Sequence, residues 1–370
     1  MPPMIDTPEA LRSLIDRALQ RDSVALDTEF VWDRTYYAKL GVVQVALSEE
    51  ECFLVDAVAL DLAPLGELLA APGVVKILHD APQDLTILRR ATCAFPHNVF
   101  DTRIAAGLAG LSSTTSLGEL VGTVIGVDLA KTESRTDWLR RPLTEQQVAY
   151  AIEDVCYLAA VRDVLLERSC ALQRDGWLRE ELALLDDPGL YEEKDPRQQY
   201  LRVKGMGRAS RRELAILREL AAWREEEAQR VDRPRNRVIP DDILLALARR
   251  QPQTPDDLRA YKGLGRRFYP NVLELVICGL AVSDADCPPR RQRRRRGDEE
   301  RFEAQIDRAM SHMRTRSESL DIDPPFVASR AEVKTLVHAG PKAGPENHRL
   351  LRGWRREFVG CELLDILAAP

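Results

Sequence analysis

The chain has 370 residues, of which 45% are hydrophobic, and its formal net charge at pH 7 is −6. This length predicts two or three domains with buried cores. The seven cysteines are scattered without CxxC spacing, which excludes a disulfide framework and a cysteine-based zinc site. No apolar run approaches the length of a membrane span, and no secretory signal is visible. We therefore expect a soluble cytoplasmic protein without membrane contact.

The charge is divided unevenly along the chain. Residues 1–200 carry a net charge of −14, residues 201–297 carry +10 and residues 298–370 carry −2. An acidic first half suits a site of carboxylates that bind metal cations, and a basic middle suits contact with phosphates. The alternative is that the asymmetry reflects only solvated surfaces, and that the arginine run at 290–296 is only a linker.

The first half alternates short β-type runs with helical runs. This alternation predicts an α/β sandwich around a mixed sheet, with an antiparallel meander near its start. A long amphipathic helix follows, with Thr144 as its N-cap and Gln147 three residues later. The predicted helices are 8–21, 61–70, 82–90 and 144–174, and the predicted strands are 24–26, 42–47, 52–55 and 74–78.

Strand signals nearly disappear after residue 200, and the pattern predicts a small helical bundle. Its helices are expected at 214–230, 240–250, 254–261 and 265–280, and those of a shorter unit after it at 301–313, 331–337 and 349–368. We predict an α/β domain with a connecting helix over 1–200 and a helical domain over 201–283. A basic linker over 284–300 and a second helical unit over 301–370 follow.

Acidic residues stand where strands and helices would present them to one cleft. Asp27 and Glu29 are two residues apart at the end of a predicted strand, so they share a face and can share a metal. Asp84 lies in the first turns of a helix that follows a strand. Asp154 lies on the long helix, with Tyr150 one turn earlier.

Two-metal phosphodiester hydrolysis is the chemistry that needs such a set of carboxylates. Oxygen ligands select Mg²⁺ or Mn²⁺ over softer metals. Tyr150 would position the attacking water, because a phenol with an ordinary pKa near 10 is a poor base at neutral pH. Each motif alone occurs by chance in many proteins, and Asp80 rivals Asp84 from the same helical face.

Longer strings carry a more specific signal. The segments DTEFVWDRTYYAKLGVVQVA, HDAPQDLTIL, FDTRIAAGLAG and KTESRTDWLRRPLTEQQVAYAIEDVCYL occur in that order. Together they resemble the exonuclease motifs of the ribonuclease D family, in the branch of the DEDD superfamily with tyrosine in its third motif. The resemblance implies a ribonuclease-H-like fold, Asp27, Glu29, Asp84 and Asp154 as ligands of two metal ions, and Tyr150 as the water-orienting residue.

That resemblance also favours Asp84 over Asp80, which stands where relatives tend to carry an uncharged residue. The segments LRELAAWREEEAQRVDRPRNRVIPDDILLALA and LRAYKGLGRRFYPNVLELV, within residues 210–281, are similar to an HRDC domain. The segment LLRGWRREFVGCELLDIL resembles a second such module more faintly.

Further residues are candidates for substrate contact. We expect Phe30 to stack on the terminal base, His79 to meet the sugar, and Lys131 and Arg135 to contact phosphate. The alternatives are a core role for Phe30 and an internally satisfied histidine. Arg266 and Arg267 are further candidates for phosphate contact.

We therefore predict a metal-dependent 3′→5′ exoribonuclease that releases nucleoside 5′-monophosphates, with tRNA precursors or other structured RNA 3′ ends as substrates. No obligate protein partner is evident from the sequence. The alternatives are a DNA-directed 3′→5′ exonuclease and a non-catalytic binding module. The presence of all four carboxylates and the tyrosine argues against the last. A chain cut after about residue 200 keeps all five candidates, so we expect it to cleave short single strands.

Overall fold

The structure, a computed structural model, describes residues 4–129, 136–290 and 296–368. Its contacts divide the chain into two compact units, which alternate along the sequence. We call them the sheet unit, Met1–Phe30, Leu40–Tyr191 and Arg294–Pro370, and the helical unit, Val31–Lys39 and Glu192–Arg293. Among the described residues, no helix combines the length and apolar character needed to cross a membrane.

The described part of the sheet unit is built on six strands in the order β1-β4-β3-β2-β5-β6. Strand β4 pairs antiparallel with β3, whereas the β1–β4, β2–β5 and β5–β6 pairs are parallel. This arrangement confirms the predicted mixed sheet. The strands are β1 Met4–Ile5, β2 Ser23–Val31, β3 Lys39–Ala46, β4 Cys52–Asp56, β5 Val75–Leu78 and β6 Val99–Asp101. Strands β1 and β6 were not predicted, because two or three residues are too few to show alternation.

Helices flank the sheet. Those up to residue 183 are α1 Pro8–Ala18, α2 Gly66–Ala70, α3 Pro82–Thr92, α4 Thr102–Leu108, α5 Leu117–Ile125, α6 Glu145–Cys156, α7 Leu158–Ala171 and α8 Asp175–Ala183. The side chains of Thr144 and Gln147 form the capping box expected at the start of α6. The single helix predicted over 144–174 is instead two, because Tyr157, with φ −97° and ψ −5°, lies outside ordinary helical geometry and interrupts it.

The C-terminal segment of the sheet unit shares its hydrophobic core. Ile306, Met313 and Phe358 are buried in the same cluster as Ile77 and Phe100 of the sheet. The helices of this segment are α14 Arg296–Ser319, α15 Pro324–Val327, α16 Arg330–Ala339, α17 Gly353–Arg355 and α18 Cys361–Ala368.

This shared core changes the expectation for a chain cut after residue 200. Phe326 packs so closely against Gly107 that a Cβ there would lie 2.7 Å from Phe326 Cγ. Asp323 accepts hydrogen bonds from the Ser113 backbone N–H at 2.7 Å and hydroxyl at 2.6 Å. Since the truncated chain would expose this surface to water, we now expect it to unfold instead of retaining activity.

The contact between α8 and the C-terminal segment includes a buried ion pair. Arg355 is 2% exposed and donates to the carboxylate of Glu181, which is 4% exposed. The indole N–H of Trp354 donates to the same carboxylate at 2.9 Å. Arg355 also donates to the carbonyl of Val327 at 3.0 Å. Burial alone would raise the pKa of Glu181, but Arg355, together with Trp354 and Arg349, outweighs burial and holds that pKa below its ordinary value.

We predict that Arg355→Met lowers the free energy of unfolding by about 3–5 kcal/mol, because Glu181 would stay buried without its main cation. Denaturant unfolding at neutral pH measures this loss. The folded-state pKa of Glu181 is lowered, so the stabilisation is present above the unfolded value near 4.3 and is lost as the pH falls through the folded value. The difference between the two proteins should therefore shrink below about pH 4.

Arg12→Met is the matched control, since Arg12 pairs with Asp16 and Glu67 on the exposed surface. It should lower stability far less than Arg355→Met does, because solvent screens an exposed ion pair. Equal losses in both variants would show that the buried pair has no special role.

The helical unit has its own core. Its helices are α9 Arg211–Arg230, α10 Arg235–Val238, α11 Asp241–Arg250, α12 Pro255–Leu258 and α13 Tyr269–Ala281. Buried apolar residues of α9, α11 and α13 form one cluster, as expected for a helical bundle. The segment Val31–Lys39 also belongs to this unit. There the Tyr36 N–H donates to Asp232 at 3.1 Å and the Tyr36 hydroxyl donates to Glu225.

Candidate active site

Three carboxylates converge where β2 meets α6. One oxygen each from Asp27, Glu29 and Asp154 lies within 4.8 Å of the other two. Asp27 and Glu29 alternate with Thr28 on β2, so they share a face, and Asp154 comes from the third turn of α6. All three side chains are partly exposed. The structure thus brings together three of the four carboxylates that the sequence singled out.

The fourth carboxylate, Asp84, lies beside this group and not within it. It stands in the first turn of α3, is 9% exposed and accepts a hydrogen bond from the Thr28 hydroxyl. Asp84 is nevertheless close enough to raise the pKa of both Asp27 and Glu29.

The start of α3 is held by Asp101, which is 2% exposed. Its carboxylate accepts from the backbone N–H groups of Ala81 at 2.9 Å, Asp80 at 3.1 Å and Arg103 at 2.8 Å. One buried carboxylate therefore satisfies the free N–H groups around the starts of α3 and α4. This bonding fixes the helix turn that carries Asp84.

Asp80, the alternative candidate to Asp84, forms an ion pair outside the cluster. Its backbone adopts a left-handed conformation with φ 59°, and its exposed carboxylate pairs with Arg103. It is not one of the three clustered carboxylates. Its remaining effect on the site is a repulsion that contributes to raising the pKa of Asp84.

The electrostatics of the site indicate that it needs a cation. Burial, followed by repulsion from the neighbouring carboxylates, raises the pKa of Asp27 well above its ordinary value and that of Glu29 to about 8. Burial likewise raises the pKa of Asp154 to about 7 and that of Asp84 to about 6. Oxygen donors that repel one another in this way suit a hard divalent cation, which would offset the repulsion. The residues present fit such an ion.

Tyr150 lies at the edge of the cluster, one helical turn before Asp154. Its side chain is partly exposed and lies close to the carboxylate of Asp154. Burial, and then the negative charge of Asp154, raises the pKa of Tyr150 above its ordinary value. The phenol therefore keeps its proton at neutral pH and can donate a hydrogen bond.

The segment before α6 is tied to the sheet. Trp138 is 2% exposed, its ring centroid lies 6.2 Å from that of Tyr150, and a Cβ on Gly41 would lie 2.4 Å from its carbonyl oxygen. The guanidinium of Arg141 donates to Asp56 at 2.6 and 2.7 Å and to the Gly41 carbonyl at 2.7 Å. These contacts fix the segment before α6 to the sheet, which gives the string DWLRR a structural role.

Gln44 is a site residue that the sequence reasoning missed. It lies on β3, is 0% exposed, and its amide N–H donates to Asp27 at 3.4 Å. Its amide oxygen has no hydrogen-bond partner among the described residues. The sequence does contain a signal for this residue, because a glutamine interrupts the apolar run VVQVAL. A buried amide needs a hydrogen-bond partner, which marks Gln44 as a residue with a specific role.

We predict that Gln44→Met weakens metal use, because Asp27 would lose the donor that orients its carboxylate. The metal concentration giving half-maximal activity should rise about 10- to 100-fold, as for loss of a group supporting a metal ligand. A titration of Mg²⁺ or Mn²⁺ against RNA hydrolysis measures this. Gln20→Met, on the exposed surface, is the control. An unchanged titration midpoint for Gln44→Met would contradict the assignment.

The structure describes the positions of two of the four candidate substrate contacts. Phe30 is partly exposed at the end of β2. His79 follows β5, and its Nδ1 lies 2.9 Å from the Thr102 hydroxyl. Burial lowers the pKa of His79, so its ring is neutral at pH 7. Lys131 and Arg135 lie outside the described residues.

Comparisons with known proteins agree with this fold. A family model described as a 3′-5′ exonuclease matches residues 2–168, and one described as an HRDC domain matches residues 213–276. The chain is 40% identical over 361 residues to ribonuclease D of Desulfotalea psychrophila, and the match covers 96% of each protein. It is 37% identical over 375 residues to ribonuclease D of Gluconacetobacter diazotrophicus, covering 99% of this chain and 92% of that one.

Among solved structures, the crystal structure of Escherichia coli RNase D matches with a TM-score of 0.88 and 30% identity. The match covers 99% of this chain and 98% of that one, which is described as an exoribonuclease involved in structured RNA processing. The exonuclease fold and the acidic cluster imply use of a divalent metal. On this evidence the chain belongs to the ribonuclease D family and is a 3′→5′ exoribonuclease.

Proposed function

We propose that this protein trims the 3′ ends of structured RNA, tRNA precursors among them, and releases nucleoside 5′-monophosphates. The convergence of Asp27, Glu29 and Asp154 within 4.8 Å of one another, with Asp84 alongside, is the observation that carries the proposal. The RNase D of E. coli, whose fold this chain shares, is described as processing structured RNA, which supports the substrate class.

In this proposal Asp27, Glu29, Asp84 and Asp154 hold two divalent ions, Mg²⁺ or Mn²⁺. When bound, such ions supply charge stabilisation for phosphodiester hydrolysis and lower the pKa of water. The residues around them orient the ligands. Thr28 donates to Asp84 and Gln44 donates to Asp27, so both carboxylates have fixed partners.

Tyr150 orients the attacking water through its hydroxyl, whose raised pKa keeps it protonated beside Asp154. We further propose that Phe30 stacks on the terminal base and that His79, neutral and partly exposed, meets the sugar. Lys131 and Arg135 are proposed to bind phosphate on the strength of their position in the family string alone. The division into domains at 1–200, 201–283, 284–300 and 301–370 stays a prediction, as does the likeness of 301–370 to a second HRDC module.

We predict that Asp27→Asn or Asp154→Asn lowers turnover on a 3′-labelled RNA by at least about 100-fold. An amide preserves the volume but removes the charge that holds a metal, and the loss of metal-derived stabilisation amounts to several kcal/mol. Single-turnover hydrolysis with Mg²⁺, and again with chelator added, measures the effect. A DNA strand of the same sequence tests the alternative substrate and should be cleaved much more slowly.

Asp80→Asn is the matched control for these variants. It removes the same charge nearby, but Asp80 lies outside the cluster and is paired with Arg103. Its turnover should stay within a few-fold of wild type. If the Asp80 variant lost as much activity as the Asp27 variant, the rate would depend on local charge and not on metal ligation.

For Tyr150→Phe we expect a fall in turnover without a matching fall in RNA affinity. Its hydroxyl would act only in the transition state, so its loss should lower kcat and leave binding nearly unchanged. Measuring kcat and RNA affinity on one oligonucleotide separates the two effects. Equal losses in both would instead make Tyr150 a substrate contact or a structural residue.

A further inference from the structure

The helical unit contains the same short motif twice. Residues 203–208 read VKGMGR and residues 261–266 read YKGLGR, so both carry K-G-x-G-R after a buried residue. Outside this motif the two segments differ, and they precede different helices, α9 and α13.

The two motifs fold in the same way. The Met206 N–H donates to the Val203 carbonyl at 3.3 Å, and the Leu264 N–H donates to the Tyr261 carbonyl at 3.1 Å. Gly205 and Gly263, at the third position of each turn, have φ values of +88° and +95°. This is the pattern of a type II turn, which requires a positive φ at that position. The geometry explains the first glycine of each motif but demands neither its lysine nor its arginine.

Both turns are anchored on α11 by their apolar residues. Val203, Tyr261 and Leu264 are buried in the core of the helical unit, and Met206 packs against that core. A Cβ on Gly205 would lie 3.1 Å from Leu245 Cδ2, and one on Gly263 would lie 3.4 Å from Ile243 Cδ1.

Ile243 and Leu245 are two residues apart on α11, so they face different sides of the helix. The two turns therefore contact different sides of the first half of α11.

The cations of the two turns are free to bind a ligand. The side chains of Lys204, Arg208, Lys262 and Arg266 are exposed. Across the described ranges of the chain, none of these four side chains has a carboxylate partner.

Three other arginines of the same unit are neutralised by carboxylates. Arg212 pairs with Asp284, Arg224 with Asp241 and Arg235 with Glu225. The two turns therefore present unneutralised positive charge on a rigid support, in a unit that is basic overall.

We propose that the two K-G-x-G-R turns form one surface that binds the RNA backbone, each turn contributing a lysine and an arginine to phosphates. The inference rests on the proposed function, because it names the part of the helical unit that holds a structured RNA substrate. The contacts are to phosphates and carry no sequence information, which suits an enzyme that accepts folded RNAs of many sequences. Two anchored points on different sides of α11 also restrain the orientation of the RNA.

The test uses three variants of the full chain: Lys204→Gln with Arg208→Gln, Lys262→Gln with Arg266→Gln, and all four together. Affinity for one tRNA-like RNA is measured with chelator present, over a range of salt concentrations. Each lost phosphate contact should flatten the slope of log affinity against log salt by about 0.7–0.9. We expect the slope to fall by about 1.5 for each pair and about 3 for all four.

The control is Arg237→Gln with Arg249→Gln, which removes two exposed charges elsewhere on the helical unit. Its slope should equal that of wild type, and thermal melting by circular dichroism should show all variants folded. Wild-type slopes in the turn variants, or an equal change in the control, would overturn the inference. Hydrolysis of a short single strand by the wild type keeps the two questions apart. If the wild type did not hydrolyse this strand, the proposed function would be wrong. If it did hydrolyse the strand and the turn variants kept the wild-type salt slope, only RNA binding by the two turns would be wrong.

Discussion

Mutual repulsion among clustered, largely desolvated carboxylates is the constraint around which the sheet unit is organised. Without a cation, Asp27, Glu29, Asp84 and Asp154 cannot all be ionised at neutral pH, as their raised pKa values show. A fold that keeps them together must therefore fix the backbone segment that carries each carboxylate. Strand β2 lies between β3 and β5, so its carboxylates have a supporting strand on either side.

That support comes from residues without a proposed chemical role. Asp101 fixes the turn that carries Asp84, and Arg141 fixes the segment that leads to α6. Each of these two side chains is buried or half-buried and makes several hydrogen bonds. The elements that these bonds join therefore have little freedom to move. The precision of the site therefore depends on residues up to two elements away from it.

The sequence predicted those parts that depend on local pattern. Alternation revealed β2 to β5, the Thr144–Gln147 pair marked the start of α6, and the helices of the helical unit lie close to their predicted ranges. The site carboxylates were recognisable because acids rarely interrupt apolar strands. Strands β1 and β6 were missed because they are short, whereas the other misses depend on long-range contact. A helical pattern around Phe358 shows an apolar face but not which surface covers it, and Gln44 gains its meaning only from Asp27 on the next strand.

The alternation of the two units along the chain has a consequence for how the protein is made. The chain passes between the units four times, and the core of the sheet unit includes residues as late as Leu363. A nascent chain leaves the ribosome from its N-terminus, so the carboxylates of β2 emerge long before the side chains near Leu363 that complete their core. The helical unit has all of its residues several dozen positions earlier. It can therefore fold while the sheet unit is still incomplete, and nuclease activity should appear only after the segment around Leu363 has been made.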